Sequence, residues 1–407
     1  MSTTRQTRVS PKMESIGGQT HEVTIERIVP GGWGLAHADR RTFFVDLAAP
    51  GDLALIRIDR VQGRVAFASI VELIAPSPDR IEPPYPEATE AGADFQHLTG
   101  EAQRGAKVDI VRDCLQRIAG IKTLPDIPVV PAPQPWGYRM VAEWHHDPVR
   151  GVLGAFRRGS REVLDIEHDP LVLPALNDVL DDLRRHLRAG TLPASVPTLR
   201  AAAGDDTAAF VPTLDGSEPP ELIRTVGDET YRFDPRGFFQ VHPALLPGLI
   251  AETHRNLPDE KQHALDLYGG VGVFALPLAR HFARVTMVES HPVAAQYAVR
   301  NAEAAGLHNV QVQGQPVQDW LAARSRRTHP SFALLDPPRS GAGPTVVAGL
   351  LRLKPERITY VSCDPPTLAR DLRGLLAGGY RLDRVVAFDM FPQTHHAEAV
   401  AHLIRNE

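Results

Sequence analysis

HALDLYGGVGVFALPLA, His263 to Ala279, is the stretch from which the fold is read. A short apolar run ends around Asp266 and Leu267. A turn with Tyr268, Gly269, Gly270 and Gly272 follows, and Phe274 to Ala279 open a helix. Glycine in such a turn permits positive φ and lets backbone approach a ligand closely. A packed turn with no ligand has the same appearance, so the flanking segments decide between the two.

ARVTMVES comes next, a β-branched run ending in Glu289, about 20 residues beyond Asp266, where an acidic side chain can accept from ribose hydroxyls. A surface glutamate at a strand end is the plainer alternative. AAQYAVRNAEAAGL then reads as a helix, and NVQVQG, SFALLDPP and RITYVSCDPP read as further strands. Strand and helix signals alternating at roughly 25-residue spacing predict an α/β fold, an open parallel sheet with helices on both faces. Ligands of such sheets bind at the carboxyl ends of the strands, where Asp266, Glu289, Asp336 and Cys363 fall.

The chain has 407 residues, enough for two or three domains, and 43% apolar residues suffice for their cores. No apolar run spans a bilayer and no signal peptide is evident, so the expectation is a cytoplasmic protein without membrane association. Lys and Arg number 44 against 49 Asp and Glu, a net charge of −5. Bulk charge therefore does not advertise a nucleic-acid partner, and any basic surface is local.

Residues 1–17 are polar and read as a disordered tail. Residues 18–75 carry short alternating strands separated by Gly and Asp (EVTIERIVP, GGWGLAHAD, RTFFVDLAA, GDLALIRIDRVQGRVAFASIVEL), as in a small barrel of about five strands. Barrels of this kind present loops and strand faces to RNA, and Arg40, Arg41, Arg57, Arg60 and Arg64 are candidate phosphate contacts, though solvated edges look alike. Residues 76–89 are proline-rich and read as a linker. Residues 90–235 read as an α+β middle region. In it, Val108, Ile110, Val111, Leu115 and Ile118 form a helical stripe, interleaved with Arg104, Lys107, Arg112 and Arg117 on an expected solvated face. Strand-like segments and the helix LVLPALNDVLDDLRRHLRAG follow.

The chemistry lies toward the far end. Cys114 and Cys363 are the only cysteines, which excludes a disulfide scaffold. Cys114 falls in the helical stripe and is expected to be buried. Cys363 follows ITYVS at a strand end and precedes DPPTLARDL, beside the proposed ligand site, where either a nucleophile or a buried thiol fits. Asp336 ends the preceding strand in Asp336-Pro337-Pro338-Arg339, and Glu398 lies in DMFPQTHHAEAV near His395, His396 and Asp389 without the spacing of a metal set.

These motifs together resemble the S-adenosylmethionine-dependent RNA 5-methyluridine methyltransferases. The matching segments are FFQV (Phe238 to Val241), DLYGGVGVF (Asp266 to Phe274), Glu289, DPPRSG (Asp336 to Gly341), SCDPPTLARDL (Ser362 to Leu372) and DMFPQTHHAE (Asp389 to Glu398), in the family's order. The barrel resembles the family's TRAM domain, and QHL followed by VRDCLQRIAG resembles its central domain. The resemblance implies a Rossmann-like methyltransferase domain over 236–407, preceded by the TRAM-like barrel and the α+β central domain.

By the same resemblance, Cys363 is the nucleophile that adds to C6 of uracil, and Glu398 is the base that removes the C5 proton. Gln240, Tyr268, Gly270, Glu289, Gln315 and Asp336 match positions for S-adenosyl-L-methionine. A lowered thiol pKa is expected, since the thiolate is the reactive form. The implied partner is RNA, 23S rRNA ahead of tRNA, with no obligate protein partner. A methyltransferase acting on another RNA base atom and a non-catalytic RNA-binding protein are the alternatives.

The sequence also departs from the family pattern. Many members carry four cysteines for an iron–sulfur cluster. The corresponding positions here fall near Pro84, at Glu90 and Ala93, and at Asp169, so no cluster is expected. Asp364 stands where Asn is usual, placing a carboxylate beside the nucleophile, and His242, Val273 and Gly269 also differ. These changes are expected to bear on substrate choice.

Overall fold

The computed structural model describes residues 18–324 and 329–406; the expected tail over 1–17 lies outside them. The chain divides into two compact units between Ile81 and Glu82.

In the first unit, β1 (Thr20–Thr24), β2 (Arg27–Val29), β3 (Trp33–Ala38), β4 (Arg41–Val45), β5 (Leu53–Gln62) and β6 (Val65–Ala75) form one sheet in the order β1-β5-β6-β4-β3-β2. Alternation sends Phe43, Val45, Ile56, Ile58, Ala66 and Ala68 inward to a common core. Six strands replace the expected five or so, because the first segment breaks after Thr24 and the last folds back at Gly63, where φ is +64°. The proline-rich stretch is not all linker. Asp52 is fully buried, accepts from the backbone N–H of Ala49 (2.7 Å) and Ser77 (2.9 Å), and pairs with Arg80 at 2.6 Å, which ties residues 77–80 to the barrel.

The second unit opens with α1 (Pro86–Thr89) and α2 (Gly100–Arg117). The Thr99 hydroxyl caps α2 by accepting from Ala102 N at 3.3 Å. Val111, Cys114 and Leu115 bury against the helices and strands of the C-terminal sheet. Lys107 does not join a solvated face as expected. It is 1% exposed. After β7 (Val129–Val130) come β8 (Val141–Asp147), β9 (Val152–Gly154), α3 (Pro174–Arg188), β10 (Thr198–Ala203) and β11 (Ala208–Val211). The last four strands form an antiparallel sheet in the order β11-β10-β8-β9, and Leu176, Leu180 and Leu183 of α3 enter its core. β12 (Leu222–Val226) and β13 (Glu229–Phe233) make a hairpin, after which FFQV runs on without strand pairing.

The remaining elements are α4 (Leu246–Thr253), β14 (His263–Leu267), α5 (Ala275–Ala279), β15 (Arg284–Glu289), α6 (Pro292–Ala304), β16 (Val310–Gly314), α7 (Val317–Ala322), β17 (Phe332–Leu335), α8 (Gly343–Leu353), β18 (Arg357–Ser362), α9 (Pro365–Ala377), β19 (Tyr380–Phe388) and β20 (Glu398–Arg405). They build an eight-stranded sheet in the order β16-β15-β14-β17-β18-β20-β19-β7. β14 is buried along its whole length, as a central strand covered on both faces must be. The five strands from β16 to β18 are parallel, but β20 runs antiparallel to both neighbours, so the sheet is mixed rather than wholly parallel. β7 extends the sheet at its far edge. Trp144 and Leu199 of the middle region share one apolar core with Phe239, Phe274 and Val361. Among the described residues no helix is long and apolar enough to cross a membrane.

Candidate active site

The reversed strand β20 creates the central juxtaposition. Ser362, the last residue of β18, pairs with Ala399, so one further step on each strand sets Cys363 across from Glu398. Opposed residues in antiparallel strands stand about 5 Å apart at Cα, which brings thiol and carboxyl to one place. Sequence spacing could not reveal this, because it depends on the direction of β20. Both residues line a cavity of about 560 Å³ at the carboxyl ends of the parallel strands, together with Gln240, Tyr268, Gly270, Glu289 and Asp336. Gln315 does not line this cavity. It sits in the turn after β16, its N–H donating to Gln313 O at 3.0 Å.

Glu289 closes β15, and its carboxylate is fixed by two backbone donors: Gly270 N gives to Oε2 at 2.9 Å and His291 N to Oε1 at 2.6 Å. Gly270 (φ +57°) leaves open room where a side chain would stand, as a ligand-facing turn requires. Gly269 serves packing instead. A Cβ there would lie 2.5 Å from the Met287 side chain, so a larger residue could not fit without a shift of that side chain. Gln240 Nε2 donates to Asp336 Oδ2 at 2.6 Å.

Buried carboxyl groups cluster at the site. Asp266 lies buried beneath the glycine turn, and burial, then Asp336 and Glu289, push its carboxyl up to about 8. Burial likewise raises Asp336, against the Gln240 hydrogen bond, and raises Glu398 well above the carboxylate range. The expected lowering of the thiol is not found. Burial, Glu398 and Asp336 push Cys363 up to about 12, and only Arg339, which hydrogen-bonds the thiol, pulls it back. Glu289, Asp336 and Glu398 on the cavity wall are matched there by Arg200, Arg236 and Arg339, and S-adenosylmethionine, which carries both cationic and anionic groups, fits such a mixed lining.

Arg200, Arg236, Phe238, His291, Arg339 and Phe391 also line the cavity, with no role assigned from sequence. Arg339 was within reach, since it completes the DPPR motif. Its Nη2 donates to His396 Nε2 at 3.3 Å. The departures from the family pattern lie off the cavity wall. Asp364 caps α9, its Oδ1 accepting from Thr367 N at 2.9 Å, which explains a carboxylate there without involving the thiol. His242 is buried in a stack on Tyr138 with ring centroids 4.9 Å apart, and Val273 is likewise buried.

The residues at the cluster positions do not suit iron. Glu90 pairs with Arg157 at 3.1 Å, Ala93 is buried, and the backbone of Asp169 exchanges two hydrogen bonds with the Asn177 amide. Among the described residues no group of three or more His, Cys, Asp or Glu could hold a metal ion.

Comparison with known proteins agrees with this geometry. Residues 223–406 match the tRNA (uracil-5-)-methyltransferase family, and residues 15–71 match the TRAM domain. The 23S rRNA (uracil(1939)-C(5))-methyltransferase RlmD of Vibrio cholerae is 30% identical, over 97% of this chain and 98% of that protein. RlmD of Alkalilimnicola ehrlichii is 32% identical over 93% and 95%. The crystal structure of Pyrococcus abyssi tRNA (uracil-54, C5)-methyltransferase in complex with S-adenosyl-L-homocysteine superposes with a TM-score of 0.72 at 24% identity, covering 94% of this chain and 99% of that one, and so shares the fold. Relatives at 30% identity and above, matched over nearly their full length, establish that the chain belongs to the RNA uracil-C5 methyltransferase family.

Proposed function

We propose that this chain transfers a methyl group from S-adenosylmethionine to C5 of a uridine in RNA, with Cys363 as nucleophile and Glu398 as base. The observation that carries the reading is the opposition of thiol and carboxyl across β18 and β20, inside the cavity that Glu289 and Gln240 also line. Glu289 would hold the ribose diol, while Gln240, Tyr268, Gly270 and Asp336 would shape the site of the methionine and adenosine parts. The bound cofactor would supply an electrophilic methyl group on a sulfonium.

C5 of uracil is a poor carbon nucleophile, and covalent activation overcomes this. The Cys363 thiolate adds to C6, and the displaced electron pair makes C5 nucleophilic toward the methyl group. Glu398 then takes the C5 proton, the pair re-forms the C5–C6 double bond, and the carbon–sulfur bond breaks to return the thiolate. Arg339, beside both groups, stabilises the thiolate. The target uridine must leave its stack to enter, and Phe238, 54% exposed at the cavity wall, offers an aromatic surface to a base.

Among RNA targets we favour 23S rRNA, named as the substrate of both RlmD relatives, with the barrel over 18–75 as an RNA-binding surface. The test supplies wild type, Cys363→Ala and Glu398→Gln with methyl-labelled cofactor and either a 23S rRNA domain transcript or a tRNA transcript. We expect labelled 5-methyluridine in the ribosomal transcript and none with Cys363→Ala. Glu398→Gln should give a cofactor-dependent protein–RNA adduct on a denaturing gel, because attack and methylation precede its step. Multiple turnover by Cys363→Ala would refute the mechanism, and methylation of the tRNA transcript alone would reassign the target.

A further inference from the structure

Lys107 is buried in α2, far in sequence from the site, and a lysine is rarely enclosed without a specific partner. Its Nζ donates to Asp389 Oδ1 at 2.6 Å and to the backbone carbonyl of Phe391 at 2.8 Å. Both acceptors lie in the loop that joins β19 to β20. Phe388, directly before Asp389, is the residue that pairs with Glu398. Lys107 therefore grips the loop one residue from the pair that seats the base.

Other contacts hold the same loop from the same side. Gln103, one turn earlier in α2, donates from Nε2 to Gln393 Oε1 and accepts Gln393 N at its own Oε1, both at 2.9 Å. Gln393 needs this hold, because its φ of +66° is a conformation that a side chain seldom adopts. Asp94 accepts His395 N at 3.0 Å and meets His395 Nδ1 at 2.6 Å. On the side facing the cavity the loop presents Phe391, and it ends at Glu398. A segment that begins before α2 thus fixes Asp389, Gln393 and His395, while Phe391 and Glu398 of the same stretch line the cavity.

We propose that Lys107, acting through Asp389 and the Phe391 carbonyl, is a positioning residue that holds Glu398 at the C5 proton of the bound uridine. The inference rests on Glu398 being the base. Lys107 touches no reacting atom, so its loss should leave addition of Cys363 and methylation of C5 intact and slow the last step, proton removal with release of the thiol. A defect of folding alone would depress every step together.

The experiment compares Lys107→Met with Glu398→Gln and Cys363→Ala on the transcript that the wild type methylates. Because Lys107→Met leaves a buried carboxylate unpaired and can impair folding, the double variant Lys107→Met with Asp389→Asn is measured beside it. We expect kcat to fall about tenfold or more in both, with affinity for S-adenosylhomocysteine held within about threefold, and a methylated protein–RNA adduct to accumulate as in Glu398→Gln. The double variant should melt closer to the wild type and still accumulate the adduct, since the bond to Phe391 remains lost. Wild-type turnover in either folded variant would overturn the proposal, as would slow turnover without adduct while Glu398→Gln shows one. Absence of the adduct from Glu398→Gln itself, in an enzyme that still needs Cys363, would remove the base assignment and this inference with it.

Discussion

Replacing Glu289 with alanine removes a carboxylate that the fold has already oriented. Gly270 N and His291 N, at 2.9 and 2.6 Å, occupy one lone pair on each oxygen and leave the others for a diol at the end of β15. The carboxylate is therefore preorganised, and ribose binding need not bear the entropy of ordering it. A hydrogen bond to a charged acceptor contributes about 1.5 to 3 kcal/mol, so Glu289→Ala should weaken binding roughly tenfold to a hundredfold. Glu289→Gln should resemble alanine more than wild type, because the amide turns a donor toward one of two backbone N–H groups that need acceptors. Isothermal titration with S-adenosylhomocysteine, on variants whose melting temperature stays near wild type, measures the effect directly. An unchanged Kd for Glu289→Ala would show that the ribose does not bind at this strand end.

Deleting residues 1–81 removes the first compact unit and should leave cofactor affinity unchanged, while RNA affinity and its dependence on salt both fall; equal RNA affinity at two salt concentrations would make the barrel structural. Anaerobically purified protein should carry far less than stoichiometric iron and labile sulfide, and about four irons per chain with a charge-transfer band would overturn that expectation. The raised carboxyl of Asp266 gives a pH signature. Its pKa is 3.8 when unfolded and about 8 when folded, so its contribution is fully present below the first value and is lost as pH rises through the second. Relative to an Asp266→Asn variant, a comparison in which the opposite titration of the buried histidines cancels, ligand-free wild type should therefore lose melting temperature as pH rises across that window, and binding of S-adenosylmethionine at neutral pH should release protons, seen as a calorimetric enthalpy that varies with the buffer. A melting difference that does not change with pH and a buffer-independent enthalpy would refute it.

The alternating pattern from His263 to Ser362 was legible because four of the five parallel strands there end at or near a chemically distinctive residue. Asp266, Glu289, Asp336 and Cys363 fall at or near carboxyl ends for that reason. The direction of β20 was not legible. EAVAHLIR is buried on both faces over most of its length, and such a run has no periodicity to say which neighbour it joins or which way it runs. Recognition of the motifs placed Glu398 with Cys363, whereas the physical cause is the Ser362–Ala399 register. Lys107 was misread because charge within a helical pattern ordinarily means solvent, and its partner Asp389 lies on a strand end that only the tertiary fold brings near. Gln315 stands apart from the other expected cofactor residues: β16 is the sheet's edge strand, and the turn that follows it does not line the cavity.

The raised thiol remains to be reconciled with a nucleophilic role. With the Cys363 thiol pushed up to about 12, the thiolate is disfavoured in the ligand-free state. The causes are burial and the neighbouring carboxyls, and each responds to what enters the cavity. Positive charge beside Asp336 and Glu398 offsets the groups that hold the thiol up and adds to the pull of Arg339. The same positive charge favours ionised Glu398, the form that a base must take. On the proposed mechanism a cationic ligand therefore eases ionisation at this pair, while the repulsion between thiolate and carboxylate favours one charge at a time: the thiolate for attack on C6, then, once sulfur is bonded to carbon, the carboxylate that takes the C5 proton.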